Sequence, residues 1–153
     1  MDSQNTISAV NDLIETCFDS QKGFQEASEN AMAPEIKSFF TEAARERGRY
    51  AMSLMREVRA LGGSPEKGGS TGAAFHKFWI NIIGTLSGRG DGTLLSEAER
   101  GEDSAIRAYE EALQKGLPSY IHSLLEAQCA SIKRSRDLIG NMRAAAMAAG
   151  ANR

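Results

Sequence analysis

The chain has 153 residues, enough for one domain with a buried core, and its 41% hydrophobic and 25% charged residues are ordinary for a globular protein. A formal net charge of −2 and a pI near 5.7 argue against a nucleic-acid partner, which calls for a basic surplus. No apolar run approaches the ~18–20 residues of a membrane span and the N-terminus lacks a signal-peptide core, so a cytoplasmic protein without a membrane partner is expected.

Only three prolines occur, and strong helix formers fill the long segments, which sets an all-α class. The first helix is predicted from Ser3 or Gln4 to Asn30 or Ala31. Ile7, Val10, Ile14, Cys17, Phe24 and Ala31 mark its 3-4 repeat, interrupted by the polar Gln21 and Ser28. Pro34 then suits the first turn of a second helix, because the amide hydrogen it lacks has no helical partner there. Ile36, Phe40, Ala43, Tyr50, Leu54, Val58 and Leu61 carry that helix to the stop signal Gly62-Gly63. Its interrupted stripe position is Arg47.

Residues 62–72 read as a loop, followed by a short apolar helix from about Ala73 to Leu86 with Phe75, Phe78, Trp79, Ile82 and Ile83 on its face. Arg89-Gly90-Asp91 spells an adhesion tripeptide, which is read as coincidence in a cytoplasmic chain. The third long helix covers about Thr93 to Lys115, with Thr93 or Asp91 as its cap. Leu95, Ala98, Ala105, Tyr109 and Ala112 form its stripe, and the missing member between Ala98 and Ala105 is Glu102. Gly116 and Pro118 separate it from the fourth helix, whose stripe of Ile121, Leu124, Leu125, Ile132, Leu138, Ile139 and Met142 also holds Gln128 and Ser135. A fraying tail is expected from about Ala146. Cys17 and Cys129 lack the spacing of a metal clip or redox pair and read as buried free thiols.

Two helical hairpins are thus joined by a connection of about 30 residues, spanning about 62–92. Helices of ~23–29 residues are about 35–43 Å long, and the connection is long enough to traverse them. The predicted fold is a single domain over residues 1–153: a ferritin-like four-helix bundle with one long crossover carrying a short extra helix. The rival is a simple up-down-up-down bundle with a decorated loop.

Helix midpoints align in such a bundle, and Gln21, Arg47, Glu102 and Gln128 each lie within about one helical turn of a midpoint. A buried polar centre follows. Arg47 can present its planar fork to the Glu102 carboxylate, and the two glutamines can take up remaining donors and acceptors. The alternative is a carboxylate-bridged di-metal (iron) site using Glu26, Glu29, Glu46, Glu99 and Glu102. Ferritin-like metal proteins of that kind use a glutamate from each of two helices and a Glu-x-x-His from each of the others. Here Ala73 and Ser119 stand three residues before His76 and His122, so the motif is absent. A fixed Arg47 charge also opposes a cation. No phosphate loop and no nucleophile-base arrangement is present, so no catalytic residue is assigned and no cofactor is expected, with iron as the alternative.

Several features in order resemble an uncharacterised bacterial family of ferritin-like four-helix-bundle proteins, a domain-of-unknown-function group. They are Asn11-Asp12-Leu13-Ile14-Glu15, Gly23-Phe24 with Ala27 and Glu29, Arg47, and Leu61-Gly62-Gly63-Ser64-Pro65. They continue through His76 with Trp79, Gly101-Glu102-Asp103 with Tyr109 and Leu113, Leu117-Pro118, and Gln128. The resemblance implies the fold and, at most, a stress- or storage-related role. The chain departs from the family pattern at Ser53, where a glutamate is expected, and near Arg136, where a histidine is expected. Both are residues a metal site would use. The expectation is therefore a homo-oligomeric, non-enzymatic bundle of unknown small-molecule ligand, with iron handling or oxidation as the alternative. A further alternative is a partner-binding module using the crossover aromatics.

Overall fold

The structure is a computed structural model and describes residues 2–66 and 90–151. The regular elements among them are four α-helices: α1 (Ser3–Asn30), α2 (Pro34–Ala60), α3 (Asp91–Leu113) and α4 (Ser119–Ala151). The short crossover helix expected over 73–86, with His76 and Trp79, lies outside the described residues.

Local chemistry sets each boundary. The Asp2 carboxylate accepts from the Asn5 amide at 2.8 Å and caps α1, satisfying one of the first-turn donors. Pro34 opens α2 as expected. Gly62 takes φ +83° just after α2, a left-handed conformation that costs glycine little. Asn11 of α1 then secures the departing chain, donating to the Ser64 carbonyl and accepting from the Glu66 amide at 2.9 Å.

The start of α3 differs from the sequence expectation. Gly90 occupies the N-cap position with no side-chain cap, and the helix begins at Asp91. Asp91 does not cap its own helix. Its two carboxylate oxygens accept from the amides of Met32 and Ala33, at 2.8 and 2.9 Å, in the turn between α1 and α2. That turn offers no side chain to cap α2, so the carboxylate satisfies two otherwise free amides beside a helix N-terminus.

This clasp fixes the topology. The end of α1 and the beginnings of α2 and α3 share one end of the bundle, and α2 ends at the other. Helices α2 and α3 therefore run parallel on opposite corners, the helix order that a bundle with one long crossover requires. Helix α1 packs chiefly on α2 and α3 on α4, the α1–α3 seam is intermediate, and the α2–α4 seam is sparse. Helix α4 continues to Ala151, past the expected fraying point, because its alanine-rich end has high helix propensity and Ala146 still packs on the core.

The core forms two clusters. One joins the first half of α1 to the second half of α2 through Ile14, Leu54 and Val58, with Tyr109 and Leu125 from the other hairpin. The other, towards the Asp91 clasp, contains Phe24, Phe40, Leu94, Leu95 and Ile139, with the Phe24 and Phe40 rings stacked at 5.9 Å. Burying each such side chain contributes about 1.5–3 kcal/mol. Between the clusters lies a layer of charge.

Candidate functional site

Arg47 and Glu102 break their helices' apolar stripes near mid-length, and the parallel arrangement of α2 and α3 sets them at one level. The Arg47 guanidinium donates from both terminal nitrogens to the two Glu102 oxygens, at 2.6 and 2.7 Å. The side chains are 1% and 0% exposed. This two-point geometry is the strong form of the arginine–carboxylate pair. The guanidinium also stands 5.2 Å from the Phe24 ring centroid and 5.9 Å from that of Tyr50, within cation–π range. Burial opposes the Arg47 charge, but the Glu102 carboxylate more than offsets it and holds the pKa above its ordinary value.

Beside the pair runs a second hydrogen-bonded chain. The Tyr109 hydroxyl donates to Gln128 Oε1 at 2.6 Å and stands 3.2 Å from Cys17 Sγ. Burial pushes the Cys17 thiol up to about 11 against the opposing pull of Tyr109 and Arg47, and burial likewise raises Tyr109 well above its usual value. Both are therefore neutral at physiological pH. Two polar atoms in this region, Arg47 Nε and Ser20 Oγ, have no hydrogen-bond partner among the described residues.

Of the four residues expected at the polar centre, the structure brings Arg47 and Glu102 into contact and places Gln128 on Tyr109. Gln21 does not join them. It is half-buried on the outer face of the α1–α2 hairpin, over Gly48. A Cβ at Gly48 would come within 2.6 Å of the Gln21 amide nitrogen, so that glycine gives the side chain its space. Ser20 faces inward instead. Tyr109 and Cys17, read from the sequence as apolar stripe members, are polar participants. A buried tyrosine hydroxyl requires a partner, and that was the available signal.

The residues weighed as metal ligands do not converge. Glu102 is committed to Arg47, and Glu99 accepts from Arg143 Nε at 2.7 Å on the α3–α4 surface. Glu46 accepts from Ser131 Oγ at 3.1 Å between α2 and α4. Glu29 is exposed and Glu26 half-buried further along α1. His122 stands 3.0 Å from Glu126 in the first turns of α4, far from mid-bundle. Among the described residues no group of three or more His, Cys, Asp or Glu side chains is placed to share an ion. A di-metal centre of the ferritin-like kind does not fit this donor set, because a permanent cation already occupies the carboxylate at its centre.

A second polar group opens to the surface along the sparse α2–α4 seam. It is a cleft of about 350 Å³ whose lining includes Phe39, Glu42, Glu46, Arg134, Ser135 and Leu138. Tyr50 links it to the centre. Its ring faces Arg47 while its hydroxyl, pushed up to about 12 by burial first, is acted on by Ser131 and Glu46.

Comparison with solved structures places this arrangement on a known fold. A dodecameric thioferritin, the bacterioferritin-related protein of Bacteroides fragilis, superposes with a TM-score of 0.80 at 14% identity, covering 99% of this chain and 91% of that one. A C-terminal deletion mutant of Mycobacterium smegmatis Dps gives 0.76 at 14% identity, covering 90% and 97%. A ferritin-like, diiron-carboxylate protein of Bacillus anthracis str. Ames gives 0.69 at 15% identity, covering 94% and 99%. At these identities the likeness establishes the fold alone. No curated protein sequence matches the chain, and no described helix is long and apolar enough to cross a membrane. The sequence pattern described as Domain of unknown function (DUF2383) matches residues 5–115, a span holding both Arg47 and Glu102. The chain thus belongs to that family, built on a ferritin-like four-helix bundle.

Proposed function

We propose that this protein is a non-catalytic, self-associating bundle of the cytoplasm whose centre is held by a cation of its own, the Arg47 guanidinium. In ferritin-like carboxylate proteins that position belongs to metal ions gathered by glutamates and Glu-x-x-His motifs. The observation that carries the reading is the two-point Arg47–Glu102 contact at 2.6 and 2.7 Å with both side chains buried. The pair supplies charge neutralisation, directional bonds and a fixed register between diagonal helices. Register setting is the best-attested use of buried polar groups. Self-association is supported by likeness to a bundle described as dodecameric.

Metal analysis of protein purified without chelator, followed by anaerobic ferrous titration, tests the metal-free centre. The expected result is iron far below one per chain and no saturable binding. Stoichiometric uptake near two irons per chain that is lost in Glu102→Ala would overturn the reading in favour of a carboxylate-bound iron protein.

A further inference from the structure

The α2–α4 seam is the sparsest contact between neighbouring helices in the bundle, and its cleft carries unused chemistry on both walls. Phe39, Ala43 and Leu138 give it an apolar floor and edge, with Leu138 53% exposed. Ser135 Oγ is buried there without a hydrogen-bond partner among the described residues. On the α4 wall Arg134 is exposed and forms no ion pair with any described residue. On the α2 wall Glu46 is half-buried, with one oxygen accepting from Ser131 and the Tyr50 hydroxyl also bonded to its carboxylate. Beside it Glu42 is 59% exposed and shared between Arg45 and Arg49. Among the residues lining the cleft, α2 thus contributes the carboxylates Glu42 and Glu46 and α4 the guanidinium of Arg134.

We infer that this cleft is where a second copy of the chain docks, through a two-fold axis running along the seam. Such an axis sets each copy's α2 wall against the other's α4 wall. Arg134 of each copy then faces the Glu46 side of its partner, and every charged contact forms twice. A self-complementary patch of this kind is what a two-fold interface requires. An apolar strip between opposed charges also matches the common pattern of a buried interface core with a polar rim. An acidic-only or basic-only cleft would repel its own copy. The opposite signs on the two walls select a copy of the same chain over a unipolar partner.

This inference rests on the self-association proposed above, and one experiment separates the two. The mass of the full chain, and of Arg134→Glu, Glu46→Arg and the double charge-swap variant, is measured by sedimentation velocity across a concentration series. Wild type is expected as a multiple of the 16.5 kDa chain. Each single variant should lose at least half of that mass at equal concentration, and the double variant should recover it. Because Arg134 is exposed, Arg134→Glu keeps the monomer fold, which an unchanged far-UV circular dichroism spectrum verifies. An oligomer whose mass is unmoved by either single variant overturns the docking surface and leaves self-association standing. A wild-type chain that remains 16.5 kDa at every concentration overturns both. Loss of mass in the singles without recovery in the double overturns the pairing of Arg134 with Glu46.

Discussion

At the bundle centre, Arg47 and Glu102 take up each other's charge completely, with both carboxylate oxygens and both terminal guanidinium nitrogens engaged. About one side chain away, beyond Tyr50, the α2–α4 cleft holds the same residue types in an unfinished state. There Glu46 meets only the hydroxyls of Ser131 and Tyr50 among the described residues, and among those same residues Ser135 Oγ has no hydrogen-bond partner and Arg134 no ion-pair partner. The contrast follows from burial. A charge pair removed from water must be nearly complete, because an uncompensated partner is costly. At a solvent-facing cleft water completes what the protein does not, so residues can be left available for a partner. The closed layer therefore determines how the helices meet, and the open one determines what the bundle can meet.

Breaking the closed layer should produce the largest effect. Glu102→Ala leaves the Arg47 guanidinium buried and alone, and a loss of about 3–5 kcal/mol is expected from urea unfolding, with Arg47→Met costing a similar amount. The double variant Arg47→Met, Glu102→Leu is expected to be as stable as wild type or more so by about 1–4 kcal/mol, since no charge then remains to be compensated. Such a cycle separates the cost of an orphaned charge from the net value of the pair. A double variant as unstable as the singles would show that the layer contributes packing that apolar side chains cannot replace.

Alkaline pH tests the same layer without touching the pair. Cys17 has its pKa raised from 9.0 to about 11 in the folded chain, by burial first, with Tyr109 and Arg47 pulling the other way. The unfolded chain loses this thiol proton before the folded one does. Stability from this group is therefore intact below about pH 9 and falls as pH rises towards 11, by roughly 2–3 kcal/mol in total. Between pH 9 and 10 the unfolding free energy of wild type should slope downward. Cys17→Ala should make that slope shallower, leaving the contributions of Cys129, Tyr50 and Tyr109, which burial also raises. An unaltered slope in that variant would mean that Cys17 is not shielded as the bundle centre requires.

The stripe interruptions made the charged pair legible in the sequence, because a helix period places Arg47 and Glu102 inward whatever else the chain does. The crossover was legible from loop length alone, and the Asp91 clasp now gives its geometric basis. The clasp itself was not readable. Asp91 lies in the first turn of its helix, where a local cap is the default, and its partners are amides 58 and 59 positions away. Gln21 shows a different limit. A strict seven-residue repeat drifts around a straight helix by about 20° per heptad. At the level of Cys17 and Phe24 that drift turns Ser20 inward and Gln21 out over Gly48. The Tyr109–Gln128 bond was hidden for a third reason: on an apolar stripe a tyrosine counts as hydrophobic until the surroundings of its hydroxyl are known.

The smallest expected effect sharpens the contrast most directly, because it applies one isosteric change to both regions. Glu46→Gln removes a charge but keeps an oxygen that can accept from Ser131, and the side chain retains access to water. Its cost in urea unfolding should stay below about 1 kcal/mol, the usual range for solvent-accessible charge changes. Glu102→Gln places an amide nitrogen against the Arg47 fork, where it can donate only towards another donor, and should cost several-fold more. The ratio of the two costs measures how closed each region is. Equal costs would mean that Glu46 is as deeply committed within the monomer as Glu102, leaving nothing at the cleft to offer a second copy. With unequal costs, Glu46→Gln should weaken assembly at high concentration while barely moving the monomer's stability, which is the behaviour of a residue held in reserve for an interface.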